Sequence, residues 1–220
     1  MYQNAEIIKS EVLKYAQNTT VNYEELKAKL EEKGITINSH NFEKLKYLYH
    51  IMTYLKPGNH YKYIKTASFG KLLENPTLGK LKGDCNQIVT LYAALYSLKF
   101  DINDLKIKLL PNHVCLHFNG VDIEATNGTF QKYKGKTILP ITEIISTNML
   151  DISDFREKTQ KISTRNFIES AKLSYKISSL KELVTKNLKT GYTNMGIESL
   201  NKNDFKTALF FFKKAQESRN

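Results

Sequence analysis

A chain of 220 residues with 41% hydrophobic side chains is long enough for one large domain, or for a domain with an appendage, and can bury a packed core. No apolar run reaches membrane-spanning length, two cysteines are too few for a disulfide scaffold, and the start Met-Tyr-Gln-Asn-Ala-Glu lacks a secretory signal pattern, so a cytoplasmic protein without a membrane partner is expected. The net charge of +11 comes from lysines spread along the chain, with Arg156, Arg165 and Arg219 the only arginines, so a solvated surface is expected rather than a nucleic-acid interface.

Residues 1–55 read as helical. Ala5, Ile7, Ile8, Val12, Leu13 and Ala16 give one amphipathic helix. A second starts at Asn22-Tyr23-Glu24-Glu25, carries Leu26 and Leu30, and stops at Gly34. A third runs from Asn41 through Leu45, Leu48, Tyr49 and Met52 until Pro57-Gly58 breaks it. His40, His50 and His60 are ten apart and share no helical face, so no metal site is expected, and no cofactor. Tyr47, Tyr49, Tyr54, Tyr61 and Tyr63 form an aromatic cluster that suits core or cleft-wall packing.

Asn75-Pro76, Gly79 and Gly83 mark a loop that leads to Gly83-Asp84-Cys85-Asn86-Gln87. Asp84 is a favoured N-cap type, and Ile88, Leu91, Tyr92, Leu95 and Leu98 follow at helical spacing. Cys85 therefore falls in the first turn of a helix, where free N–H groups and the dipole favour a thiolate. A strand is expected over 105–110. Residues 113–118 and 121–126 then alternate around Asn119-Gly120, the strongest short hairpin signal.

A two-residue turn sets Phe118 opposite Val121 and His117 opposite Asp122. His113, Cys115, His117, Asp122, Glu124 and Thr126 then share one face, and Val114, Leu116, Phe118, Val121, Ile123 and Ala125 share the other, the core face. Glu124 lies diagonal to His113, roughly 7–8 Å by backbone and within side-chain reach. Cysteine, histidine and acid can serve as a nucleophile, its base and the group that orients the base. Register alone leaves two pairs open, His113–Glu124 and His117–Asp122.

These residues resemble the core of the transglutaminase-like superfamily of papain-like thiol enzymes. The resemblance rests on Gly83-Asp84-Cys85 at a helix start, His113 at a strand start and Glu124-Ala125-Thr126 at the end of the next strand, and covers about residues 65–130. It implies Cys85 as nucleophile, His113 as general base and acid, and Glu124 as the orienting third member. The chain departs from the family pattern with Glu for the usual Asp at 124, Ala125 for the usual Pro, and Val114 where an aromatic often follows the histidine. For the second oxyanion donor, Asn75 and its loop are the upstream candidates.

A last short strand is expected at 137–139 and a helix over 141–150. From Asp154 to Lys189 the pattern is helical and lysine-rich. Tyr192, Gly196, Phe205, Ala208, Phe212 and Ala215 then follow at the spacing of a helical hairpin that resembles one tetratricopeptide repeat, about 189–220, with Asp204 as a cap after the turn.

The expected architecture is α+β. A papain- or transglutaminase-like core with N-terminal helices occupies 1–150, its nucleophile helix packed on an antiparallel sheet. A helical tail occupies 151–220. The expected activity is cysteine hydrolysis of a peptide or protein amide through a thioester. The alternatives are an inactive interaction module that holds a protein partner through the helical tail, and an acyltransferase, crosslinking or deamidating enzyme of the same fold.

Overall fold

Local capping and turn chemistry set most of the element boundaries. In the computed structural model, residues 2–36, 39–65, 72–76, 80–135, 137–147 and 163–218 are described. The chain divides into two compact units, Met1–Ile141 and Thr142–Asn220.

The first unit opens with helices α1 (Tyr2–Asn18), α2 (Tyr23–Glu31) and α3 (Phe42–Tyr54). Asn22 caps α2 by accepting the Glu24 N–H at 2.9 Å. Two short strands, β1 (Tyr61–Tyr63) and β2 (Leu81–Gly83), pair in parallel, and β2 leads directly into α4 (Cys85–Tyr96). Three-residue strands carry no readable alternation, and the sequence pattern gave no sign of either.

Five strands make the main sheet: β3 (Lys106–Leu110), β4 (His113–Phe118), β5 (Val121–Glu124), β6 (Thr129–Gln131) and β7 (Ile138–Pro140). Their order is β6-β5-β4-β3-β7, antiparallel throughout, so the fold is α+β. The β4–β5 register, Leu116↔Ile123, His117↔Asp122 and Phe118↔Val121, is the one a two-residue turn demands. Asn119 and Gly120 both take positive φ, 52° and 87°, as a hairpin of matching twist needs. The β3–β4 turn uses Pro111 and then Asn112 at φ 54°, the Pro-then-Asn order of a type II turn.

Helix α4 packs on β4 through Tyr96 and Phe118, whose ring centroids lie 6.4 Å apart. Ile88, Val89, Tyr92, Leu95, Ile107, Leu116 and Ile123 are all buried. The tyrosine cluster splits. Tyr47 and Tyr61 are core, each donating to a backbone carbonyl, Leu95 at 3.1 Å and Gly83 at 2.9 Å, whereas Tyr63 is exposed. The polar hairpin face is also interior: Cys115 is 0% and Asp122 1% exposed, with Lys108 of β3 buried beside them.

A 3-10 turn over 141–143 leads into the second unit, where 144–147 are helical; 148–162 lie outside the described residues, including 154–162 of the expected long helix. Helices α5 (Thr164–Ile177), α6 (Lys181–Asn201) and α7 (Phe205–Glu217) follow. A break at Ser178–Leu180 divides what the composition presents as one lysine-rich helical run. Leu180 offers α6 no side-chain cap, and the buried Glu143 carboxylate takes that role, accepting the Ser178 hydroxyl at 2.8 Å and the Ser179 and Leu180 N–H groups at 3.1 and 3.3 Å.

Phe167, Ala171, Val184, Leu188, Tyr192, Met195, Phe211 and Ala215 form the core of this unit. Phe211, adjacent to the Phe212 of the repeat-like spacing, is the fully buried aromatic of α7, and Phe205 at the start of the helix is 66% exposed. Gly196 is where α6 and α7 approach closely: a Cβ there would lie 2.6–2.9 Å from three atoms of the Phe212 ring.

Gly196→Ala is therefore expected to lose about 1–2 kcal/mol in urea unfolding, the overpacking cost outweighing the gain in helix propensity. Adding Phe212→Leu should recover part of that loss.

Candidate active site

Cys85 owes its position to a cap. The Asp84 carboxylate accepts the N–H of Asn86 at 2.9 Å and of Gln87 at 3.5 Å, while the Gln87 side chain accepts the Asp84 N–H at 3.0 Å. This reciprocal capping box starts the helix at Cys85, a half-buried thiol. The Cys85 N–H belongs to the first turn, whose donors have no intrahelical partner. The Gly83 carbonyl is pinned by the Tyr61 hydroxyl and the Ile64 N–H, both at 2.9 Å. A Cβ on Gly83 would meet Leu72 at 3.0 Å and Gln87 at 3.2 Å, so the approach to the thiol leaves little room for a side chain.

His113 opens β4, and its Nε2 lies 2.6 Å from Oε2 of Glu124, the last residue of β5. Its side chain is 26% exposed. The Cys85 side chain beside it is the strongest influence on the imidazole, followed by the hydrogen bond to Glu124. Together they overcome burial and raise the His113 pKa from 6.5 to about 10. With Nε2 committed to Glu124, Nδ1 is the ring nitrogen left for the thiol.

Glu124 is buried, and burial pushes its carboxyl up. Hydrogen bonds from His113 and Thr126 more than offset this and hold it below its usual range. Its Oε2 also accepts the Tyr133 hydroxyl at 2.9 Å, and its Oε1 accepts the Thr126 N–H at 3.1 Å and the Thr126 hydroxyl. All four lone-pair directions of the carboxylate are thus in use.

His117 and Asp122 make a separate arrangement. His117 Nδ1 lies 2.7 Å from Asp122 Oδ1, and its Nε2 accepts the Gly120 N–H at 3.3 Å. Both ring nitrogens are occupied, which leaves neither for the thiol. The other Asp122 oxygen accepts Lys108 Nζ and the Tyr133 N–H, each at 2.7 Å, and Lys108 Nζ also donates to the Tyr133 carbonyl at 2.7 Å. Burial pushes Asp122 up, but the His117 and Lys108 bonds hold its carboxyl below the usual range. The pair braces the sheet, while His113 is bonded to Glu124 and acted on by Cys85.

Cys115 is fully buried, and burial pushes its thiol far up. Asn75 is exposed in the short described stretch 72–76. Two participants had no separate signal in the pattern. Lys108 stands opposite Cys115 in the β3–β4 register, so extending the strand alternation to β3 finds it. Tyr133 lies in the loop after β6, where no periodicity applies. Among the described residues no cluster of three or more His, Cys, Asp or Glu could hold a metal ion, and no helix is long and apolar enough to cross a membrane. No protein-family model, curated protein or solved structure matches the chain.

A raised His113 pKa means that the protonated ring stabilises the folded state. That contribution is complete below about pH 6.5 and is lost as pH rises toward about 10. An NMR titration of the His113 ring should show the elevated midpoint in the native protein. It should fall by about one unit or more in Glu124→Gln, which removes the paired charge.

Proposed function

We propose that the chain is a cysteine hydrolase of the transglutaminase-like, papain-like type, which cleaves an amide in a peptide or protein through a thioester. The Cys85 side chain acting on the His113 ring, and the 2.6 Å bond from that ring to Glu124, carry this reading. Further support comes from the layout: a thiol at a helix start, that helix packed on an antiparallel sheet, and histidine and acid on adjacent strands.

The protonation that favours imidazolium at His113 sets the order of events. The Cys85 sulfur attacks the acyl carbon as a thiolate, a C–S bond forms, and the carbonyl π electrons move to oxygen. The Cys85 N–H, in the first turn of α4, stabilises that oxyanion. His113 gives its proton to the amine nitrogen as the C–N bond breaks. The now neutral imidazole takes a proton from water, which attacks the thioester and releases a carboxylic acid and the thiolate. Glu124 keeps the ring oriented and its charge compensated throughout.

An acyltransferase would share every step to the thioester. Hydrolysis is favoured because the His113 side chain is partly open to solvent, so water reaches the base.

Cys85 should be alkylated by iodoacetamide at pH 7 at least about tenfold faster in the native protein than in His113→Ala, with Cys115→Ser as the common background. A Cys85-linked acyl group should also accumulate, by intact mass, on mixing with an activated acyl ester. An inert Cys85 in both experiments would leave the inactive interaction module as the better account.

A further inference from the structure

The chain around the strand pair that delivers Cys85 is rich in lysine. Residues 56–83 contain Lys56, Lys62, Lys65, Lys71, Lys80 and Lys82 but one acid, Glu74, whereas the whole chain has 33 basic residues to 22 acidic. The fold sharpens this local excess. Strands β1 and β2 run parallel with Lys62 and Lys82 as register partners, so two ammonium groups leave one face of the pair side by side. Like charges directly opposite each other destabilise a strand pair.

Among the described residues no ion pair compensates them. Lys62, Lys65, Lys80 and Lys82 are exposed, and among the described residues none has a carboxylate within 4.0 Å. On the helices, by contrast, lysines pair locally, as in Lys9–Glu6, Lys29–Glu25 and Lys214–Glu217. Leu81 and Gly83, on either side of Lys82, are buried, so Lys82 projects to solvent. Two residues, Gly83 and Asp84, separate it from Cys85, about 10 Å at most between Cα atoms, comparable to the Debye length at physiological salt.

We propose that Lys62 and Lys82 select an acidic acyl donor, a peptide segment with Asp or Glu side chains flanking the scissile amide. This rests on the cysteine-hydrolase reading for the chemistry at Cys85. A peptide is favoured over a nucleic acid because Lys82 precedes the thiol nucleophile by three positions, and the target of that nucleophile is an acyl carbon. Substrate carboxylates relieve the Lys62–Lys82 repulsion on binding, so part of the affinity comes from a cost the free protein carries.

The test compares alkylation of Cys85 by anionic iodoacetate and neutral iodoacetamide, in the Cys115→Ser background, with and without Lys62→Gln and Lys82→Gln. His113 is present in both proteins, so its own attraction for the anion cancels. The iodoacetate-to-iodoacetamide rate ratio is expected to fall about fivefold in the lysine variant at low salt, and the difference should shrink at high salt. An unchanged ratio, with iodoacetamide still fast, overturns the charge selection while leaving the cysteine reading intact.

A binding measurement on Cys85→Ala separates the other outcomes. A dye-labelled peptide alternating Glu and Ala should bind at least about tenfold tighter than its Gln counterpart, and lose that advantage in the lysine variant. Equal binding of the two peptides, or tighter binding of a single-stranded oligonucleotide, overturns the proposal. Selective binding of the acidic peptide beside a Cys85 that neither reagent modifies would support the surface and overturn the hydrolase reading.

Discussion

The first unit depends on keeping a negative charge ionised in its interior. Glu124 is buried at the end of β5, where an uncompensated carboxylate would cost several kcal/mol. Four donors meet it: the His113 ring, the Tyr133 hydroxyl, and the Thr126 hydroxyl and N–H. Each of these groups is held in place by what it donates to. The His113 ring cannot rotate away from Cys85 without leaving Glu124, and the chain after β5 cannot peel off without uncovering one carboxylate oxygen.

The same solution is used a second time on that sheet face. Asp122 is equally buried and is satisfied by His117, Lys108 and the Tyr133 N–H. Tyr133 joins the two clusters, with its N–H on one carboxylate and its hydroxyl on the other. Strands β3, β4 and β5 and the loop after β6 are thereby tied through side chains as well as through the backbone ladder. Removing one member of such a network leaves a buried partner unsatisfied, so its members act together rather than additively.

What could be read beforehand was what local chemistry decides. Asn119-Gly120 fixes a two-residue turn because few other pairs tolerate positive φ twice, and the turn fixes the register of every residue beside it. Asp84 and Gln87 start a helix within four residues of chain, which places Cys85. The diagonal relation of His113 to Glu124 follows from register plus alternation. Tertiary context decides the rest. Alternation says that His113, Cys115, His117, Asp122 and Glu124 share a face, but not that Lys108 and Tyr133 cover it, and so not that a polar face is interior. Spacing brings α6 and α7 together at Gly196, but the choice between adjacent Phe211 and Phe212 for the core depends on the rotation of α7 against α5 and α6. Strands β1 and β2 owe their existence to pairing with each other across intervening chain, a non-local contact that three residues of sequence cannot announce.

The burial of Cys115 has a consequence for oxidative chemistry. Of the two thiols in these 220 residues, one is sealed within the sheet and held protonated, and the other stands half-open at a helix start. Peroxide would meet Cys85 alone and form a sulfenic acid there. With Cys115 enclosed, no second accessible thiol in these residues can condense with it. Return to the reduced state then depends on a small thiol from solution, and without one the oxidation continues to the irreversible sulfinic acid.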